Sequence, residues 1–139
     1  MTFTPSTDPT GTGPMRGPRP DHLFVVADHT PGIHRTDSDD LLWWLPSLGP
    51  TSSWLAYFLA RHAAHQEHTR WSIDVLARTV GLAGNHSKLW ASLERLDRFD
   101  AATFAATDTL MIRLWLPALS GRHIDRLPAP LAAAYQPSE

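Results

Sequence analysis

The stretch Leu76-Ala77-Arg78-Thr79-Val80-Gly81-Leu82, with Ala83-Gly84-Asn85-His86 directly after it, decides how this chain folds. Ala77 and Gly81 stand four apart. A small Ala lets a second helix approach closely, and a Gly supplies the left-handed backbone needed to leave one helix and enter the next. Upstream, Ser72 is placed to cap a helix over 73–80 that Gly81 stops. Downstream, Asn85 or Ser87 can cap a third helix over 86–99, with Leu89, Leu93, Leu96 and Phe99 along one face. The turn between these helices is about two residues longer than in the commonest tight pairings of two helices.

Working outward, the pattern stays regular. Thr51 or Ser52 can cap a helix after Pro50, and Trp54, Leu55, Phe58, Leu59, His62 and Ala63 form one apolar stripe reaching to about His68. Thr69-Arg70-Trp71 is a short β-prone stretch. Past the third helix come a strand at 102–106, a turn at Thr107-Asp108, and a run from Thr109 to Trp115. In that run Leu110, Ile112 and Leu114 alternate with Met111 and Arg113, the period-two signal of a strand with one buried face.

Helix, short strand, helix, helix, hairpin over 51–116 resembles the winged helix-turn-helix DNA-binding family, of the small type common in actinobacteria and MarR-like in outline. The resemblance implies a mainly α fold with a small β-hairpin wing (α+β), carrying an N-terminal arm and C-terminal helices. It further implies sequence-specific binding of double-stranded DNA by a homodimer that regulates transcription.

Around this block the chain divides by composition. Residues 1–20 hold five Pro and three Gly, too few large apolar groups to offset ordering entropy, so 1–22 reads as a disordered tail. Residues 23–50 read as an extended arm packing on the domain, with Leu23-Phe24-Val25-Val26-Ala27 a strand or an extended segment. Residues 117–139 read as a C-terminal helical extension, with Ser120 capping a short helix and Pro130 opening the last one.

Composition excludes several function classes. The 139 residues fit one ordinary domain. Twelve Lys and Arg against fourteen Asp and Glu give −2, so this is no polycation that coats nucleic acid by charge alone. The deficit lies in 1–45, with three Arg and six Asp, whereas 46–139 carry nine basic and eight acidic groups. Zero Cys removes disulfide scaffolds, thiolate zinc sites and a catalytic thiol. Apolar runs are all interrupted short of a membrane span and residues 1–20 have no secretory core, so the expectation is a cytoplasmic protein without membrane partners, nucleoid-associated if it binds DNA.

Stepping 100° per residue from Leu89 points Ser87, Ala91, Glu94 and Arg98 away from the core, with Lys88 and Arg95 on one flank and Trp90 on the other. Ser87, Lys88, Ala91 and Arg95 are then candidates for base edges, and Arg98 for a phosphate or a guanine. Asn85 and His86 at the helix start, with Arg70 and Arg78 nearby, are candidates for phosphates. Two groups oppose this. Glu94 shares the exposed face, and Asp108 sits at the tip of the hairpin where a groove-reading wing carries Lys or Arg. The alternative is a winged-helix protein-interaction module, an adaptor or co-regulator without direct DNA reading, that contacts another protein through Trp90 and the acidic hairpin tip. Six Trp fit either a thickened core or an interface.

Eight His remain to be explained. His62, His65 and His68 follow at i, i+3, i+6 on the expected helix and fan over about 120°, too wide for one ion, so no metal or other cofactor is expected and a metal-responsive sensor is the third reading. Phosphate-cradling, nucleophile-elbow and H-E-x-x-H patterns are all missing, and nothing supplies a base, a nucleophile and an orienting group together. The chain therefore reads as a non-enzyme.

Overall fold

The structure is a computed structural model that describes residues 19–135. Residues 1–18, most of the stretch read as a tail, lie outside the described residues.

The elements run β1 (His22–Asp28), β2 (His34–Arg35), a 3₁₀ helix (Asp39–Trp44), α1 (Leu45–His65), β3 (His68–Ser72), α2 (Ile73–Thr79), α3 (His86–Arg98), β4 (Ala102–Ala106), β5 (Thr109–Arg113), β6 (Trp115–Leu116), α4 (Gly121–Ile124) and α5 (Ala129–Ala134). The mainly α expectation is overturned. The described chain is 49% helical and 22% strand, and the strands form a four-stranded mixed sheet in the order β3-β1-β5-β4, so the protein is mixed α/β.

The cause is β1. Leu23, Val25 and Ala27 alternate with Phe24 and Val26, and the first three are buried among the helices. That alternation gives β1 one face for the core and two edges for partners. It pairs antiparallel with β3 and parallel with β5, Val25 standing opposite Thr69 on one side and Leu110 on the other. The segment 23–28 therefore runs through the middle of the sheet. β4 and β5 do pair as an antiparallel hairpin, but β5 is an interior strand, and the hairpin does not project as a free wing. Its tip is fastened: the Asp108 carbonyl accepts from the Phe24 amide at 2.7 Å.

The helices cover one face of the sheet. Leu55 and Leu59 of α1, Leu76 of α2, and Leu89, Leu93 and Leu96 of α3 meet Leu23, Val25, Leu110 and Ile112 in a single apolar cluster. Trp44 and Trp90 belong to it, whereas Trp54 stands 66% exposed, so the tryptophans divide between core and surface.

Two local readings are corrected. The first helix begins at Leu45, turns through a non-helical Gly49 (φ 79°, ψ 165°) ahead of Pro50, and ends at His65, so His68 opens β3. Ser52 is no cap: its buried hydroxyl donates to the Ser92 carbonyl at 2.9 Å and ties α1 to α3. The turn between α2 and α3 is as long as its sequence suggests because it takes two left-handed residues, Gly81 (φ 82°) and Ala83 (φ 45°). Leu82 donates its N–H to the Ala77 carbonyl at 2.7 Å across that turn.

The C-terminal segment is clasped to the body by a polar chain. The Tyr135 hydroxyl accepts from the Leu119 amide at 2.8 Å and lies 2.8 Å from Nε2 of the buried His34, whose Nδ1 lies 3.1 Å from Asp40. A proton on Nδ1 satisfies both ends, with Asp40 accepting from the ring and Nε2 accepting from the tyrosine.

Candidate nucleic-acid interface

α3 is a 13-residue helix capped by Asn85, whose Oδ1 accepts from the Lys88 amide at 3.1 Å. Leu89, Trp90, Ser92, Leu93 and Leu96 face the core, and this side is fixed by the apolar spacing. Ser87, Lys88, Ala91 and Arg98 are exposed, and Glu94 and Arg95 are half-buried beside them. These six form one continuous face. Trp90, read as a flank available to a partner, is instead buried, and Arg19 lies over its ring at 5.2 Å.

The remaining candidates are placed elsewhere or are occupied. Arg70 sits on β3, over the Phe24 ring at 5.7 Å, and belongs to the sheet. Arg78 Nε donates to Asp74 Oδ2 at 2.8 Å, and His86 Nε2 lies 3.2 Å from Asp74 Oδ1. These hydrogen bonds, that from Arg78 first, hold the Asp74 carboxyl below its ordinary range. Asn85 spends its side chain on the cap.

Both opposing charges are also accounted for. Glu94 pairs with Arg19 at 3.2 Å, so its charge is matched by a cation that the third helix itself does not carry. Asp108 accepts from the Thr109 hydroxyl at 2.9 Å at the fastened hairpin tip.

What the helix pattern alone does not disclose is the cation cluster at the end of α3. Arg95, Arg122 and Arg126 all place their guanidinium groups near the Phe99 ring, at 5.3, 4.9 and 5.1 Å from its centroid. Arg122 also donates to the Arg98 carbonyl at 3.3 Å, which fastens α4 against the C-terminal end of α3. Arg95 keeps its Nε on the Ser47 carbonyl at 2.7 Å, so its position is set from α1. Among the described residues, Lys88, Arg95, Arg98, Arg122 and Arg126 form no ion pair with a carboxylate. Nothing local in the sequence marks Arg122 and Arg126 as part of this site: α4 ends at Ile124, Arg126 follows it in the turn, and both are drawn in by Phe99.

A groove of about 410 Å³ runs between this face and the start of the long segment of α1, bordered by Lys88, Ala91, Glu94, Arg95 and Arg98 on one side and Pro50 and Thr51 on the other. Three cations and one carboxylate, itself paired with Arg19, line the α3 wall, and the helix start opposite adds partial positive charge.

Among the described residues no three His, Asp or Glu side chains converge as a metal site. His62 packs between Phe58 and Trp71, at 4.5 and 5.3 Å between ring centroids, and His29 lies 2.8 Å from Glu67. No helix among the described residues is long and apolar enough to cross a membrane. No known family model, curated protein or solved structure matches this chain.

Proposed function

We propose that this protein binds duplex DNA through the exposed face of α3, inside the cell, and that it acts as a transcriptional regulator. The observation that carries the reading is the convergence of Arg95, Arg122 and Arg126 on the Phe99 ring, beside the exposed face that carries Lys88 and Arg98, with no carboxylate paired to any of the five among the described residues. The three converging guanidinium groups repel one another until an anion neutralises them. A helix of 13 residues is about 20 Å long, which suffices to cross a major groove about 12 Å wide. On this reading Ser87, Lys88 and Ala91 meet base edges, and Arg98, Arg122 and Arg126 hold phosphates. Arg70, Arg78 and His86 take no part.

The protein-interaction alternative loses the residue that recommended it, because Trp90 is buried. A gel-shift assay with random duplex at low salt tests the proposal. Binding is expected, and the double substitution Lys88→Glu, Arg98→Glu is expected to abolish it; the absence of any shift for the native chain refutes it.

A further inference from the structure

Seven large apolar side chains are exposed among the described residues, and three of them, Leu42, Leu45 and Trp54, line one groove. The groove has a volume of about 420 Å³, lies between the 3₁₀ helix and α1, and is completed by Leu41, Tyr57 and Asp39. Leu42 and Trp54 are each 66% exposed, far more than a side chain of that size needs to be in a chain able to bury it. The hydroxyl of Ser53, at the groove wall, is buried without a hydrogen-bond partner.

The groove continues along α1. Stepping 100° per residue from Trp54 places Pro50, Tyr57, Phe58, Arg61 and His65 within about 60° of it, on the same stripe. The stripe has two unlike ends. Its N-terminal half is Pro50 and Trp54 beside Asp39, and its C-terminal half is Arg61 and His65. Neither Asp39 nor Arg61 forms an ion pair among the described residues.

We propose that this surface docks a second copy of the chain, α1 against α1 antiparallel, about a two-fold axis passing between Tyr57 and Phe58. A two-fold interface must be self-complementary, with residue i meeting j wherever j meets i. An antiparallel pair centred there sets Arg61 against the partner's Trp54 and Pro50 against the partner's His65. Arg61 then lies over an indole ring with the partner's Asp39 beside it, a cation–π contact and an ion pair made twice by symmetry. The unlike ends of the stripe are what such a pairing requires, whereas an unrelated partner would need only one of them.

At the centre of the pairing Leu42 and Trp54 are each 66% exposed, whereas Tyr57 and Phe58 are half-buried, Phe58 lying against His62 and Trp71, so Trp54 with Leu42 and Leu45 supplies most of the apolar surface and the charged ends supply the rim. The pairing stands on α1 and the 3₁₀ helix beside it and owes nothing to DNA binding.

Sedimentation equilibrium of the full chain without DNA tests it. The native chain is expected to sediment at twice the monomer mass, and Trp54→Glu, at a site that is two-thirds exposed, at the monomer mass with native circular dichroism and a cooperative melt whose midpoint no longer depends on concentration. Arg61→Asp alone and Asp39→Arg alone are each expected to weaken the dimer about tenfold, and the two together, which re-form the ion pair without the cation–π contact, to associate more tightly than Arg61→Asp alone. A native chain that is monomeric at every concentration overturns the proposal, as does a dimer indifferent to Trp54→Glu or a charge exchange no tighter than Arg61→Asp.

Discussion

Replacing Gly81 and Gly84 by Ala, one at a time, separates backbone conformation from packing at the turn between α2 and α3. A Cβ at either position meets nothing within 4 Å, so neither substitution creates a clash. Gly81 has φ of 82°, in the left-handed region, and Gly84 does not lie there. At Gly81 an L side chain therefore costs about 1–2 kcal/mol of local strain, offset in part by the roughly 0.4–1 kcal/mol gained when a more restricted residue lowers the entropy of the unfolded chain. The net is a loss of about 1 kcal/mol. At Gly84 only the second effect operates, and the substitution is expected to stabilise by about 0.4–1 kcal/mol. For a domain of this size a change of 1 kcal/mol moves the midpoint by about 4 °C, so thermal unfolding followed by circular dichroism should show Gly81→Ala falling and Gly84→Ala rising. Shifts of the same sign in both variants would refute the claim that φ alone sets the outcome.

Three further outcomes follow from the geometry. Gly32→Ala would place a Cβ 2.5 Å from the Leu116 carbonyl oxygen, where backbone must move, and should cost about 1–3 kcal/mol in urea unfolding while exposing the Ile33 amide, now 2.9 Å from that oxygen, to hydrogen exchange. Burial, and then the charge of Arg122, hold the His123 imidazole below its ordinary value of 6.5. A folded-state value below the unfolded one means that the unfolded chain takes up the proton first, so stability from this residue is intact above about pH 6.5 and declines as pH falls below it; His123→Phe should flatten that part of a melting-temperature profile. Arg122→Ala with Arg126→Ala should leave the chain folded and make the salt dependence of DNA affinity shallower by about 2 in the log–log slope, since each phosphate contact contributes about 0.9.

The helical part of this protein is legible residue by residue. Leu89, Leu93 and Leu96 fix the buried side of α3, Asn85 marks its start, and Gly81 marks the turn, because each of these signals is local. What escapes local reading is pairing between distant segments. Leu23, Val25 and Ala27 show a strand with one buried face, but nothing within 22–28 discloses that its edges will be taken by residues 68–72 and 109–113. Inserting that strand is what turns an expected projecting hairpin into part of a mixed sheet. The same holds for the candidate site. Lys88, Ala91 and Arg98 follow from the helix period, whereas Arg122, Arg126 and Arg19 arrive from outside the helix and are seen only once Phe99 and Trp90 are in place to receive them. The Asp74–Arg78 pair, four apart on one helix, is readable from the sequence, whereas the contact of His86 with the same carboxylate depends on the turn between α2 and α3 and is not.

The measurement that bears most directly on the central claim is the fluorescence anisotropy of a labelled random-sequence duplex titrated with the native chain over a range of salt concentrations. Phosphate contacts from Arg98, Arg122 and Arg126, at about 0.9 each, predict binding at low salt with a log–log slope of about −3 for each chain bound. An anisotropy that stays flat at the lowest salt, or a binding constant that does not change with salt, would contradict it.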